Sequence, residues 1–190
     1  MREVRLIAIG IASAIIGGLS LSASAAGEGF SPHADEQGNI RFPDGFRSSM
    51  VHLGSWFVPE GDASGFHDVY TEKASVEAYR KTGRFPDGAT IVKELRASDA
   101  GTYTTGANVS YATDGLKQWF VMIKDQEGRF EESPIWGDGW GWALFKPDDR
   151  GKNVTADYKV DCLGCHVPAK SNDWVYVEAY PTLKRAAASK

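Results

Sequence analysis

Apolar and polar positions alternate most regularly between Thr90 and Arg96. Ile91, Lys93 and Leu95 share one face there, and Thr90, Val92, Glu94 and Arg96 share the other. The alternation predicts a strand and sets a lysine among the apolar positions of its face. Further strands are predicted at about 49–58, at 118–124, where both faces are apolar, at 139–145, and as a last short run at 173–179. A helix is predicted over 71–81, with Thr71 as N-cap and Gly83 as its stop. Phe42-Pro43-Asp44-Gly45 and Phe85-Pro86-Asp87-Gly88 read as turns. Residues 27–41 read as a loose polar lead-in, 59–65 as a loop and 147–159 as an irregular polar connection. Several short strands, one good helix and many Gly/Pro turns predict an α+β fold, predominantly antiparallel sheet, in a single domain over 26–190.

Residues 1–25 carry a different pattern. Arg2 and Arg5 precede an apolar run from Leu6 to Leu21, which ends at the small residues Ala23-Ser24-Ala25. This is the form of a cleaved secretory signal peptide, and it predicts a periplasmic protein. A membrane anchor is the weaker reading, because Gly17, Gly18 and several serines dilute the run. The formal net charge is −4, and removing the leader takes two basic residues and one acidic residue with it. A mildly acidic chain with no basic run gives no reason to expect nucleic acid or an anionic membrane as a partner.

The chemistry concentrates near the C-terminus. Cys162-Leu163-Gly164-Cys165-His166 has the C-x-x-C-H spacing of a c-type haem attachment site, and its two cysteines are the only ones in the chain. Two thiols at this spacing can add to the two vinyl groups of one porphyrin, leaving the adjacent imidazole as the iron ligand. A short-range disulfide or a redox dithiol would use the same spacing, although no βαβ context accompanies it. Only 24 residues follow His166, and none is His or Met. A sixth ligand would have to come from His33, His52, His67, Met50 or Met122. None of these stands out, so a five-coordinate iron with an open distal face is expected. Lys93, if buried, would have its pKa lowered toward a neutral, nucleophilic amine. Snorkelling to the edge, or burial of the opposite face instead, would leave it ordinary.

Phe85-Pro86-Asp87-Gly88 followed by Ile91-Val92-Lys93-Glu94-Leu95, and Cys162 to Ala169 continuing through Asp173-Trp174-Val175-Tyr176 to Tyr180-Pro181, resemble the cytochrome P-460 family, which includes the cytochrome c-prime-beta proteins. The resemblance implies an antiparallel β fold, a homodimer, and one covalent haem c per subunit with His166 as proximal ligand. It implies oxidation of hydroxylamine, with electrons passed to a soluble partner, and a bond from a strand lysine to a porphyrin meso carbon. Lys93 matches that lysine by motif. The c-prime-beta relatives lack the bond and bind nitric oxide or carbon monoxide behind a phenylalanine-lined pocket; a plain electron carrier is a third class. Catalytic members resemble one another in a distal carboxylate slightly upstream of the haem motif. Asp157 stands near that place, although an Asp reaches less far than a Glu. The tryptophans of Trp136-Gly137-Asp138-Gly139-Trp140-Gly141-Trp142 are expected to build core or a dimer contact, with the glycines allowing tight turns or close approach.

Overall fold

A computed structural model describes residues 30–184, so the predicted leader lies outside the described residues. The centre of the fold is a six-stranded antiparallel sheet of order β1-β2-β3-β4-β6-β5. Its strands are β1 (Val51–Val58), β2 (Gly65–Thr71), β3 (Thr90–Tyr103), β4 (Gly106–Lys124), β5 (Trp136–Gly137) and β6 (Trp140–Phe145). Short helices α1 (Phe46–Ser49), α3 (Tyr158–Asp161) and α4 (Leu163–His166) flank it, with a longer helix α2 (Lys73–Thr82) between β2 and β3. Among the described residues, no helix is long and apolar enough to cross a membrane. The predicted α+β, mainly antiparallel class is the observed one.

Both faces of the sheet are covered, in keeping with the two apolar faces at 118–124. On one face Val92, Val121, Ile123 and Phe145 pack with Ile40 and Phe46 from the N-terminal segment. The lead-in read as loose is therefore part of the core: Ile40 is buried, and Phe30 packs against Phe130 and Trp136. On the other face Val69, Ile91, Met122 and Trp142 meet α2 and the C-terminal segment through Val76, Trp174, Val175, Tyr180 and Leu183. Gly54 admits that segment, because a Cβ there would lie 2.1 Å from the Ala179 carbonyl oxygen. The tryptophan-rich stretch builds core as expected: Trp136, Trp140 and Trp142 are all buried, and the Trp136 ring lies against the bare backbone of Gly141.

Three predicted elements are corrected. β2 has no counterpart among the predicted strands: its inward positions are Gly65, His67, Val69 and Thr71, of which only Val69 is a large apolar residue. The helix starts one residue later than expected, with Glu72 at the N-cap position. Thr71 is the fully buried last residue of β2, and its hydroxyl donates to the Thr90 carbonyl at 2.7 Å. Gly83 ends the helix as predicted, at φ 76°. The predicted strand at 173–179 does not form. Asp173 and Trp174 both have positive φ, and a 3-10 turn follows at Val177–Ala179. Adjacent Trp174 and Val175 are both buried, a pattern that a one-faced strand cannot give.

The polar side of β3 is satisfied by a compact ionic cluster. Glu94, 2 % exposed, accepts from Arg96 Nε at 3.0 Å, Arg47 Nε at 3.1 Å and the Trp119 indole at 3.0 Å. Burial pushes its carboxyl up, but the bonds from Arg96, Arg47 and Trp119 outweigh burial and hold the pKa below its ordinary value. A depressed folded pKa stabilises the fold above the unfolded value and loses that contribution as pH falls through the folded one. Glu94→Ala is expected to cost about 3 kcal/mol at neutral pH, because it strands two guanidinium groups and an indole. Arg47→Ala, whose side chain is half exposed, is expected to cost about 1 kcal/mol. Urea unfolding at pH 7 checks the order. The gap between wild type and Glu94→Gln should shrink below the ordinary glutamate value of 4.5; equal costs and a pH-independent gap would contradict the assignment.

Candidate functional site

The C-terminal covering encloses a cavity of about 360 Å3 against the β2–β3–β4–β6 face. Its volume lies within the roughly 300–1,000 Å3 range of cofactor pockets. Cys162, Cys165 and His166 line one wall; Val69, Ile91, Lys93 and Phe120 of the sheet line the other, with Trp142 beside them. The register explains the juxtaposition. Lys93 sits opposite Val69 on β2 and Phe120 on β4, so all three present one sheet face to the C-terminal segment.

Two consecutive helical turns, α3 and α4, deliver the motif. Asp157 starts the first as N-cap, its carboxylate accepting from the Lys159 amide at 2.9 Å. The Tyr158 ring stacks with Trp142 and its hydroxyl donates to Asp138 at 3.0 Å, which anchors the turn to β6. Both cysteines are free thiols; Cys162 is half-buried and Cys165 exposed. Burial raises the Cys162 thiol to about 11.

His166 is held on two sides. Its ring lies edge-on to Trp142 with centroids 4.9 Å apart, and Nδ1 donates to the Trp174 carbonyl at 2.7 Å. A carbonyl only accepts, so the hydrogen is on Nδ1 and the Nε2 lone pair is the metal-binding one. Burial, the largest cause, pulls its pKa down to about 4 against the opposing effect of the Trp174 bond, so the ring stays neutral. A neutral imidazole whose other nitrogen is fixed by a backbone carbonyl is the usual form of a metal-ligating histidine. The carbonyl is aimed by unusual backbone: Asp173 has φ 57° and Trp174 φ 65°. Left-handed conformations of this kind cost about 1–3 kcal/mol in non-glycine residues and gather where function requires them.

Lys93 does point with the apolar set. Its ammonium lies 4.0 Å from the Phe120 ring centroid, and among the described residues it forms no salt bridge. Burial lowers its pKa to about 8, and only the facing Cys165 and Cys162 work in the other direction. The opposite-face alternative is answered as well: that face is also covered, but there Glu94 supplies the paired charge.

The fold thus brings Lys93, Cys162, Cys165 and His166 to one cavity, and it places Asp157 at a helix cap outside the lining. The carboxylate that lines the cavity is Asp161, whose Oδ2 accepts from the amides of Ala156 and Asp157. Of the candidate sixth ligands, His67 and Met122 line the cavity. His67 Nε2 donates to the Ala63 carbonyl at 2.7 Å, and burial lowers its pKa. Met122 is core, as expected, and His52 lies on the outer face against Ser55 and Tyr70. Phe120 and Trp142 are site residues that no motif in the sequence marks, whereas His67 is among the candidate ligands named from the sequence. Register joins them to the Lys93 face: Phe120 lies opposite Lys93, Trp142 opposite Met122, and His67 of β2 opposite Leu95.

The donor set fits a haem: two unjoined thiols at vinyl spacing, an imidazole with Nε2 for iron, and apolar walls. No curated protein matches the chain. The family model described as Cytochrome P460 matches residues 43–177, a span that contains every sheet strand, both cysteines, His166 and the Trp174 carbonyl. This chain belongs to the cytochrome P460 family, a family of haem proteins for which hydroxylamine oxidation is a known property.

Proposed function

We propose that this protein is an exported, periplasmic mono-haem c-type cytochrome that oxidises hydroxylamine or a related small nitrogen species. The observation that carries the reading is the unpaired Lys93 amine facing the two thiols and the neutral His166 across one apolar cavity. Cys162 and Cys165 would hold the haem through thioether bonds, and His166 Nε2 would ligate the iron. When bound, the haem supplies a Lewis-acidic iron with an open coordination position and a path for electrons to a soluble acceptor. His166 offers its lone pair and keeps its proton on Nδ1, where Trp174 accepts the hydrogen bond. Phe120 and Trp142 exclude water from the cavity. Lys93, with a pKa near 8, presents a neutral amine in a useful fraction at mildly alkaline pH; a bond from it to a porphyrin meso carbon would displace that carbon's hydrogen and release two protons and two electrons, and would need an oxidant of the peroxide class to take the electrons.

Proton acceptance is assigned to Asp161, the carboxylate on the cavity wall, with Asp157 positioning it through the turn they share. A homodimer is part of the proposal. The second reading is a nitric oxide or carbon monoxide binder without turnover, which the predominantly apolar walls and Phe120 favour; turnover with an artificial electron acceptor separates the two.

Intact mass and a peptide map of the holoprotein test the attachment. The expected product is a Lys93-containing tryptic peptide joined through haem to the Cys162/Cys165 peptide. Haem on the cysteines alone would favour the gas binder, and matured protein without haem mass would sink both readings. Replacing the two aspartates tests the proton route. Asp161→Asn is expected to lower hydroxylamine turnover about 100-fold with haem retained. Asp157→Ala should chiefly cost about 1 kcal/mol of stability as a lost N-cap. The reverse pattern would return the proton-accepting role to Asp157.

A further inference from the structure

The strained Asp173–Trp174 turn is tied to the sheet by a partly buried cluster that the haem-site reading does not use. Lys124, the last residue of β4, is 8 % exposed, and its ammonium donates to Asp173 Oδ1 at 2.8 Å. The Trp140 indole N–H reaches the Asp173 carbonyl at 3.0 Å and Oδ1 at 3.3 Å. The Lys124 ammonium also lies 4.8 Å from the Trp140 ring centroid. Lys124 is itself fixed, since its amide donates to Ala89 and its carbonyl accepts from Gly88. Holding the Asp173 carbonyl sets the plane of the peptide that enters Trp174. That plane and the φ of 65° set the direction in which the chain leaves the Trp174 Cα, and from there its carbonyl accepts from His166 Nδ1.

We infer that Asp173, clamped by Lys124 and Trp140, is a positioning residue for His166: it holds Trp174 in the left-handed conformation that aims its carbonyl at the ligand imidazole. The inference rests on the reading of His166 as the haem ligand. Asp suits the first of the two positions, since short polar side chains tolerate positive φ and can hydrogen-bond locally. A bulky Trp at the second position has no such excuse and stays there because the surroundings over-determine it. The hydrogen bond from Nδ1 to a carbonyl raises the basicity of the other ring nitrogen, which strengthens the iron bond and favours the ferric state. Loosening the clamp therefore weakens the donation without removing the ligand.

The test uses holoprotein carrying Asp173→Asn or Lys124→Met, with the reduction potential, the ferrous iron–imidazole stretching band and the thermal midpoint as readouts. The two variants change local charge in opposite directions. Positioning predicts that both raise the potential and both lower the stretching frequency. Opposite shifts of potential with an unmoved stretching band would assign the effect to charge through space and overturn the inference. A lower thermal midpoint with potential and band at wild-type values would make the cluster merely structural and overturn it too. If Asp173→Asn does not fold, Lys124→Met alone decides, because charge alone predicts a lower stretch-independent potential and positioning a higher one. A wild-type protein with no iron–imidazole band would remove the ligand assignment itself, and the inference with it.

Discussion

An ammonium group on a buried sheet face, which forms no salt bridge among the described residues, is the constraint around which this fold is arranged. The sheet has two covered faces, and adjacent residues of β3 send opposite charges into them. Glu94 enters the N-terminal face and finds two guanidinium groups and an indole. Lys93 enters the C-terminal face and finds an aromatic ring and two thiols. Its fall from 10.5 to about 8 means that the site disfavours the ammonium by about 3 kcal/mol relative to water. A cation–π contact of about 1–2 kcal/mol compensates part of that. Evolution of a packed face would ordinarily replace such a residue with leucine. Its presence opposite a haem-attachment motif is intelligible if the chemistry of the cavity uses the amine.

The C-terminal wall meets the opposite demand, and this explains why it has no regular secondary structure beyond short turns. A strand or long helix would commit its carbonyls to a ladder. Here the Trp174 carbonyl must be free to accept from His166, and the motif must place two thiols and an imidazole on one side within five residues. Consecutive short helices and 3-10 turns do this, with local bonds such as Val175 N–H to the Asn172 carbonyl satisfying the remaining backbone. The Tyr176 hydroxyl adds a bond to the Cys165 carbonyl and so ties the turn after His166 to the C-x-x-C-H segment. Irregular backbone in this segment is the consequence of bringing these groups together against a rigid sheet.

What could be read in the chain divides along the same line. The C-x-x-C-H motif carries its chemistry in residue identity and spacing, so Cys162, Cys165 and His166 were legible without a fold. Lys93 was legible as an anomaly because β3 alternates cleanly around it. The strand at 173–179 was misread because Trp174-Val175-Tyr176-Val177 has the composition of a strand, and nothing in composition reveals positive φ at Trp174. β2 was missed for the converse reason: its inward face carries Gly65, His67 and Thr71, and hydrophobic alternation has no signal for a histidine that lines a cavity. β3 and β4 also run on to a distal hairpin, 97–112, whose mostly exposed, polar positions give no burial pattern to read. Asp157 and Asp161 lie four residues apart and look equivalent in sequence; only the turn decides which one caps and which one faces the cavity.

The same cavity contains the features on which the two functional readings depend. Binding a diatomic gas asks for an apolar chamber and a ligated iron, and nothing in that act moves a proton. Oxidising hydroxylamine takes protons as well as electrons from nitrogen, so the protein must offer acceptors at the wall. Among the described residues the wall provides one carboxylate, Asp161, a neutral His67 already committed through Nε2 to Ala63, and an amine whose pKa stands near 8. The amine is the most unusual of these, because burial alone has moved it toward neutrality. On the proposed enzymatic reading, a Lys93 bonded to the porphyrin would no longer be an ordinary base, which is why proton acceptance is given there to Asp161. On the gas-binding reading the amine would stay unbonded and no proton need move. The two proposed readings thus call for the same fold and differ in what becomes of one side chain on β3.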